Sequence, residues 1–558
     1  MSIHRLSNRQ WGCFVFFYFP YVNLKDGVKK MKFWTNGTFY TMRKPGETIH
    51  CVLTEHGKIV ATGHEAEAQV RGRAVDVMDL KGRTIFPGFI DSHLHLIWYG
   101  QALDRLNLSK ATTKKACLEA IAARAEILKD GDWLFVEGYD DNRLTDSNRL
   151  LTCRDLDAIS RTHPILVRRI DYHTVSINTP FIHAIGLKRN QVFDGGGMID
   201  LDDDGFPTGV LRDEASTLAI ERFPKESQAE LARLIRIAVN DLWKKGIVGA
   251  HSEDLHYFNG LVGTVRAYRQ TLNEPFPFRA HLLVHHRELD AYLRAPRTVT
   301  SPDEFVTLGA VKIFYDGTVG SHTAFMTQPY AGEPNNYGLQ FHRAEAFEQI
   351  VQQARLAQLP VAVHIIGDRA FADVVHVLKK FPPQPGQLDR MIHTPWLRSD
   401  MLDAAKGMPL IFDIQPQFMS SDMPWALDVL GSDFPPLAFA WKSIKENGFP
   451  IAGGSDAPIE VPNPFLAIHA AVTRTCNSDV NGKRYFPEEA LSIFDALSLY
   501  TSGSAAAAGQ SGSCGTIAPG KFADFTVLDQ DPFTVDPADL RALTIRKTIV
   551  NEQIVYER

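Results

Sequence analysis

TIFPGFIDSHLHL, residues 84–96, is an apolar run that closes on two histidines one residue apart, His93 and His95. Side chains alternate along a strand, so both imidazoles point to one face. Seven further runs share this form, a short apolar core ending in polar or charged residues: GIVGAHSED (246–254), FPFRAHLLVHH (276–286), GAVKIFYDG (309–317), PVAVHIIGDRA (360–370), DRMIHTPW (389–396), PLIFDIQPQ (409–417) and FPIAGGSDAP (449–458). Helical periodicity fills several gaps, clearest in AEAFEQIVQQARLAQ (344–358) and RAFADVVHVLKKF (369–381). Buried strands alternating with helices make a parallel sheet, and eight such units close it into an α/β fold, a (β/α)8 barrel of the TIM type, here over residues 85–504. The first gap, 109–226, is too long for one connection and is expected to hold an inserted α+β subdomain.

Outside the barrel the rhythm is that of short strands and turns. FWTNGTFYTM (33–42) and TIHCVLTEHGKIVATG (48–63) precede it, with Asn36-Gly37 and Gly57 as turn residues. GTIAPGKFADFTVLDQDP (515–532) and TIRKTIVNEQIVYER (544–558) follow it with the same alternation. The segments 31–84 and 505–558 are therefore expected to pair into a composite β-sandwich flanking the barrel. Residues 1–30 read as an N-terminal extension, since strand-like sequence starts just after Met31.

Composition narrows the function classes. Of 558 residues, 44% are hydrophobic and 22% charged, as in a globular chain with a packed interior. The net charge of −6 is spread along the chain without a basic tract, which argues against nucleic acid. The apolar run WGCFVFFYFPYV (11–22) contains a proline and is shorter than the ~20 residues that span a bilayer, so no membrane role is expected. Six scattered cysteines without C-x-x-C spacing fit free thiols in the cytoplasm.

The chemistry gathers at strand ends. An H-x-H pair arises easily by chance, but four other runs supply residues of the same kind at the same point: Lys312, His364, His393 and Asp456. Catalytic groups of such barrels come from the C-terminal ends of several strands, so all six would converge on one mouth. Neutral imidazoles suit zinc and its neighbours, and a carboxylate can both bind a metal and take a proton from water, which makes Asp456 the expected general base. Lys312 fits either as a carbamate bridging two metals or as a charge partner of Asp316 or Asp368. A divalent metal, zinc first, is expected at one or two per chain. Trp98, Tyr99, Phe418 and Trp425 suggest an apolar pocket wall.

PGFIDSHLHL, VKIFYDGTVGS (311–321), HIIGDRA, the strand-end His393 and GGSDAP resemble, in order, the signatures of amidohydrolase family 3, in its YtcJ-like and N-substituted formamide deformylase-like group. The resemblance runs from Met31 onward and includes VRRIDYHTVSINTPFIHAIGL (167–187) and PTGVLRDEA (207–215) in the insert. It implies metal ligation by His93, His95, His364, His393 and Asp456, with Lys312 in the bridging position. It also places His173 over the mouth as a substrate contact. Asp316 and Asp368 follow ligand strands closely, where carboxylates orient metal-bound imidazoles or meet substrate. Two departures stand out: Ile392-His393-Thr394-Pro395 replaces a Glu-His-Ala-Gln run, and His322, a further candidate for contacting substrate or supporting a ligand, stands where arginine is common.

The implied activity is hydrolysis of a carbon–nitrogen bond in a small molecule: an amide, formamide or cyclic amide. The alternatives are a metal-dependent esterase or other non-peptide hydrolase, and a non-catalytic metal-binding regulatory protein. A homodimer would be the commonest assembly.

Overall fold

All eight runs become strands of one parallel sheet. The structure, a computed structural model, describes residues 31–170, 174–193, 197–431, 434–476 and 482–558; the extension assigned to residues 1–30 lies outside them. The barrel strands are β1 (Phe89–Leu94), β2 (Ile247–Ser252), β3 (Arg279–His285), β4 (Val306–Phe314), β5 (Val361–Ile365), β6 (Asp389–His393), β7 (Leu410–Ile414) and β8 (Ile451–Gly453). They pair in chain order, each parallel to the next. Every residue of β1 is buried, as expected for a strand covered on both faces.

The ring closes without a ladder between β8 and β1. Instead the loop after β8 lies against β1: the Asp456 amide donates to the His93 carbonyl at 2.7 Å, and the His95 amide to the Ala457 carbonyl at 2.8 Å. The buried carboxylate of Asp91 pins the same seam, accepting from the amides of His93 and Ser455 at 3.1 Å each. A side chain at Gly454 would put its Cβ 2.5 Å from the His93 nitrogen, so this approach requires glycine.

Helices cover the barrel through single apolar faces. In Gln228–Lys244, Leu231, Leu234, Ile235, Ala238, Val239, Leu242 and Trp243 recur at three- and one-residue steps and are buried. Ser227 caps its start, accepting from the Glu230 amide at 3.2 Å.

Between β1 and β2 the insert forms a six-stranded sheet with its own apolar clusters. Both ends of the chain meet in another sheet: Phe525–Leu528 pairs antiparallel with Asp76–Pro87, which pairs parallel with Lys32–Tyr40. By hydrogen bonding the two terminal segments join in one eight-stranded network, in which Asp76–Pro87, 12 residues long, links the N-terminal and C-terminal strands. Only Gly88 separates this strand from β1. Thr526 Oγ1 locks the junction, accepting from the Phe89 amide at 3.1 Å and donating to the Gly246 carbonyl at 2.6 Å. Among the described residues no helix is long and apolar enough to cross a membrane.

The barrel also contains buried histidines away from its mouth. His251 and His281 lie with ring centroids 5.0 Å apart, and His281 Nδ1 is 2.9 Å from Thr307 Oγ1. Burial, then the charge of Arg390, pushes His281 down to about 3 and His251 well below the usual range. Unfolded histidine titrates near 6.5, so the unfolded chain binds more protons once the pH falls below that value. Stability should be full above about pH 6.5 and fall by about 1.4 kcal/mol per pH unit per histidine as the pH drops toward 4. Urea midpoints from pH 7 to 4.5 measure this, and His281→Asn should flatten the slope; an equal slope in both proteins would contradict the assignment.

Candidate metal centre

His93 and His95 leave the mouth end of β1 on one face, as strand alternation requires. Asp456, held over them by its bond to the His93 carbonyl, brings Oδ1 to 3.4 Å from His93 Nε2 and 3.3 Å from His95 Nε2. His393 ends β6, and His93, His393 and Asp456 each place a ligand atom within 4.8 Å of the others. Lys312, on β4, sets Nζ 3.2 Å from His93 Nε2. The His364 ring, from β5, packs 4.6 Å from that of His393, but its Nε2 faces the Gly317 carbonyl at 3.1 Å. His364 therefore borders the compact trio from outside. His393, Thr394 and Asp456 all have positive φ, at 72°, 42° and 58°, so backbone strain of the order of 1 kcal/mol each is stored at the donors.

Neighbours fix which nitrogen each ring offers. His95 Nδ1 donates to the Glu253 carbonyl at 2.8 Å, leaving the Nε2 lone pair toward Asp456. His393 Nδ1 donates to Gln415 Oε1 at 2.7 Å, and Gln415 in turn donates from Nε2 to the Asp413 carbonyl at 3.1 Å, which sets the amide's orientation. Burial, reinforced by Lys312, holds His93 well below its ordinary value, and burial brings His393 down to about 4. Both rings are thus neutral near pH 7, the form that binds metals. Burial opposes ionisation of Asp456, yet His95, His393 and Lys312 hold its carboxyl below the usual range. Buried Asp456 Oδ1 and His93 Nδ1 make no hydrogen bond among the described residues. Burial opposes protonation of His95, yet Asp456 and Glu253 hold it above its ordinary value. An ionised carboxylate oxygen facing three imidazoles is the donor set that a divalent cation satisfies.

Residues 76–556 match the amidohydrolase family. The chain belongs to the amidohydrolase family. It is 40% identical over 528 residues to the putative amidohydrolase YtcJ of Bacillus subtilis strain 168, covering 94% of this chain and 99% of that one. With N-substituted formamide deformylase of Arthrobacter pascens it shares 24% identity over 559 residues, covering 94% and 98%. A solved structure, described as an uncharacterized metal-dependent hydrolase from Pyrococcus horikoshii OT3, superposes with a TM-score of 0.76 at 26% identity over 91% of this chain and 99% of that one.

In this amidohydrolase the outer residues expected from sequence have partners in their own or adjoining loops. Asp316 accepts from the amides of Phe325, Ile366 and Gly367 at 2.9, 3.0 and 2.7 Å, and lies 4.0 Å from His364 Nε2. Asp368 accepts from the Thr327 amide at 2.8 Å and faces Arg398 at 3.5 Å. His322 bonds Glu333 at 2.8 Å and stacks on Tyr330, which turns it into a loop brace. His173 lies outside the described residues. Of the aromatic wall, Trp98 packs 4.7 Å from the His95 ring and Phe418 stacks 5.6 Å from that of His393. Tyr99 turns away to bond Asp241, and Trp425 is 38% exposed.

Two residues at the amidohydrolase mouth carried no individual sequence signal. Glu253, fully buried just past β2, sets Oε2 3.7 Å from His95 Nδ1, and burial raises its carboxyl above the usual range. Gln415 orients His393. Partners of this kind are worth 10–100-fold in metal affinity, so Gln415→Leu should weaken metal binding by about that factor while leaving the fold intact. A chelator competition titration measures it; unchanged affinity would show that His393 needs no such brace.

Proposed function

We propose that the chain hydrolyses a carbon–nitrogen bond of a small molecule, an amide, formamide or cyclic amide, with a divalent metal, zinc first, held by His93, His95, His364, His393 and Asp456. The observation that carries this reading is the unpaired, ionised Asp456 oxygen set among imidazoles that come from different strands of one barrel. A bound divalent ion supplies Lewis acidity toward the scissile carbonyl and lowers the pKa of water to about 7.

The chain's own groups handle the protons. Asp456 accepts a proton as the oxygen of water bonds to the carbonyl carbon, and delivers it to the nitrogen as the carbon–nitrogen bond breaks. His95 and His393 keep fixed tautomers through Glu253 and Gln415. Burial pushes the Lys312 amine down to about 8, which makes the neutral, nucleophilic form accessible near neutral pH. Addition of that amine to carbon dioxide, with loss of one proton, gives the carbamate proposed to bridge two metals. Trp98 and Phe418 wall the mouth with rings that exclude water.

The names of two relatives, putative amidohydrolase YtcJ and N-substituted formamide deformylase, support an amide-type bond over an ester. No disulfide joins the described cysteines Cys51, Cys117, Cys153 and Cys514, in keeping with a reducing, cytoplasmic setting. Matched amide and ester pairs with the same acyl group test the reading. Amide turnover that chelation abolishes and zinc restores is the expected result; zinc-dependent turnover of the esters alone would replace the proposal with an esterase, and no turnover with firmly bound metal would favour a regulatory protein.

A further inference from the structure

A second set of metal-ligating side chains lies in the terminal sheet, outside the barrel. His50 stands between the strands Thr48–Ile49 and Val52–Glu55, while His64 and Glu67 belong to the helix Gly63–Val70. Glu67 Oε1 is 2.9 Å from His50 Nε2, and Glu67 Oε2 is 3.1 Å from His64 Nδ1. The two rings lie 5.3 Å apart at 59°, and all three ligand atoms fall within 4.8 Å of one another. An ion with nitrogen and oxygen ligands at 2.0–2.2 Å holds adjacent donors about 3 Å apart, and both imidazole–carboxylate pairs already stand at that separation.

The site is built on fixed backbone. Cys51 and Gly63, the residues next to His50 and His64, clamp each other: the Gly63 amide donates to the Cys51 carbonyl at 2.9 Å, and Cys51 Sγ to the Gly63 carbonyl at 3.2 Å. Behind the clamp, Cys51, Leu53, Ala61 and Ala66 form a buried cluster that seats the helix on the sheet. Two imidazoles and a carboxylate that turns one oxygen to each are therefore carried on backbone that has little conformational entropy left to lose. Two nitrogen donors and the lack of a carbonyl cage disfavour calcium and magnesium, and favour the later first-row divalent ions.

We propose that His50, His64 and Glu67 form a separate binding site for a borderline first-row divalent cation such as zinc, nickel or copper, which ties the helix Gly63–Val70 to the edge of the terminal sheet. The side chain of His64 is 94% exposed, so the remaining coordination positions face water. The site is independent of what the barrel mouth holds.

Equilibrium dialysis of the intact chain against zinc chloride, followed by metal analysis, tests it by difference. The wild-type chain should hold one zinc equivalent more than His50→Ala/His64→Ala, and zinc should raise the thermal midpoint of the wild type above that of the double variant. His64→Ala and Glu67→Ala alone should each lose the same equivalent while keeping the far-ultraviolet dichroism of the parent. Equal stoichiometry in the wild type and the double variant would overturn the proposal, as would a variant of the barrel histidines whose remaining zinc does not fall further when His50→Ala/His64→Ala is added.

Discussion

Asp456→Asn is expected to lower kcat on any accepted substrate by about 10²–10⁴-fold, the range attributed to a positioned general base. The substitution is nearly isosteric, and asparagine tolerates the left-handed backbone that Asp456 adopts at φ 58°. The amide nitrogen that holds the barrel seam to His93 is unaffected, so the fold and the ring of imidazoles should persist. What disappears is the proton acceptor and one negative charge. The facing histidines and Lys312 keep the native carboxylate ionised through neutral pH, so the wild-type chain has its base ready there and the variant has none. Metal analysis on the same preparation separates the two roles: metal retained with turnover lost is the expected pair of results. Full activity in Asp456→Asn would remove Asp456 from the chemistry.

The barrel was legible because each strand is a short apolar run with a polar end, and burial on both faces leaves little freedom to misplace it. All eight quoted runs contain a barrel strand, and Lys312, His364 and His393 occupy the mouth-side halves of theirs. The seam was less visible. It depends on Gly454 allowing a loop to lie against β1 and on Asp91 accepting amides from two segments more than 300 residues apart, which no local pattern reports. The terminal sheet showed its strands by alternation, but period-two patterning does not say which strands pair: that Asp76–Pro87 links the N-terminal and C-terminal strands was not legible.

The limits around the site have a similar origin. Asp316, Asp368 and His322 looked like mouth residues because they follow ligand strands, yet unpaired backbone amides in the adjoining loops and Glu333 claim them. Glu253 and Gln415 sit at the ends of GIVGAHSED and PLIFDIQPQ, where composition alone does not reveal which polar side chain or carbonyl turns toward a neighbouring strand. The histidines of the next loops were also beyond pattern: His256, His285 and His286 stack in succession, with ring centroids 4.5 Å apart at each step. Burial brings His285 down to about 2 and His286 to about 4, so these two rings are uncharged at neutral pH.

Lys312→Ala should cost turnover on the order of 10³-fold, about 4 kcal/mol of transition-state stabilisation, and the manner of its rescue should reveal the form of the native side chain. Lys312 is fully buried between His93, at 3.2 Å, and the field of Glu253 and Asp456, the two charges that most favour its protonated state. A carbamate there would add a third negative charge to the pocket, and uncompensated buried charge is strongly unfavourable. Two divalent ions would neutralise such a set, whereas an ammonium would already balance one carboxylate and leave room for a single ion. Carbamate formation and a two-metal centre are therefore coupled expectations. Formate or acetate added to Lys312→Ala should restore part of the activity if a carboxylate is missing, and methylammonium should do so if a cation is missing. The carbamate assignment further requires a signal from labelled carbon dioxide on the native chain and loss of more than one metal equivalent in the variant. Rescue by methylammonium, with one metal before and after the substitution, would make Lys312 a charge partner of Glu253 and Asp456 and the centre mononuclear.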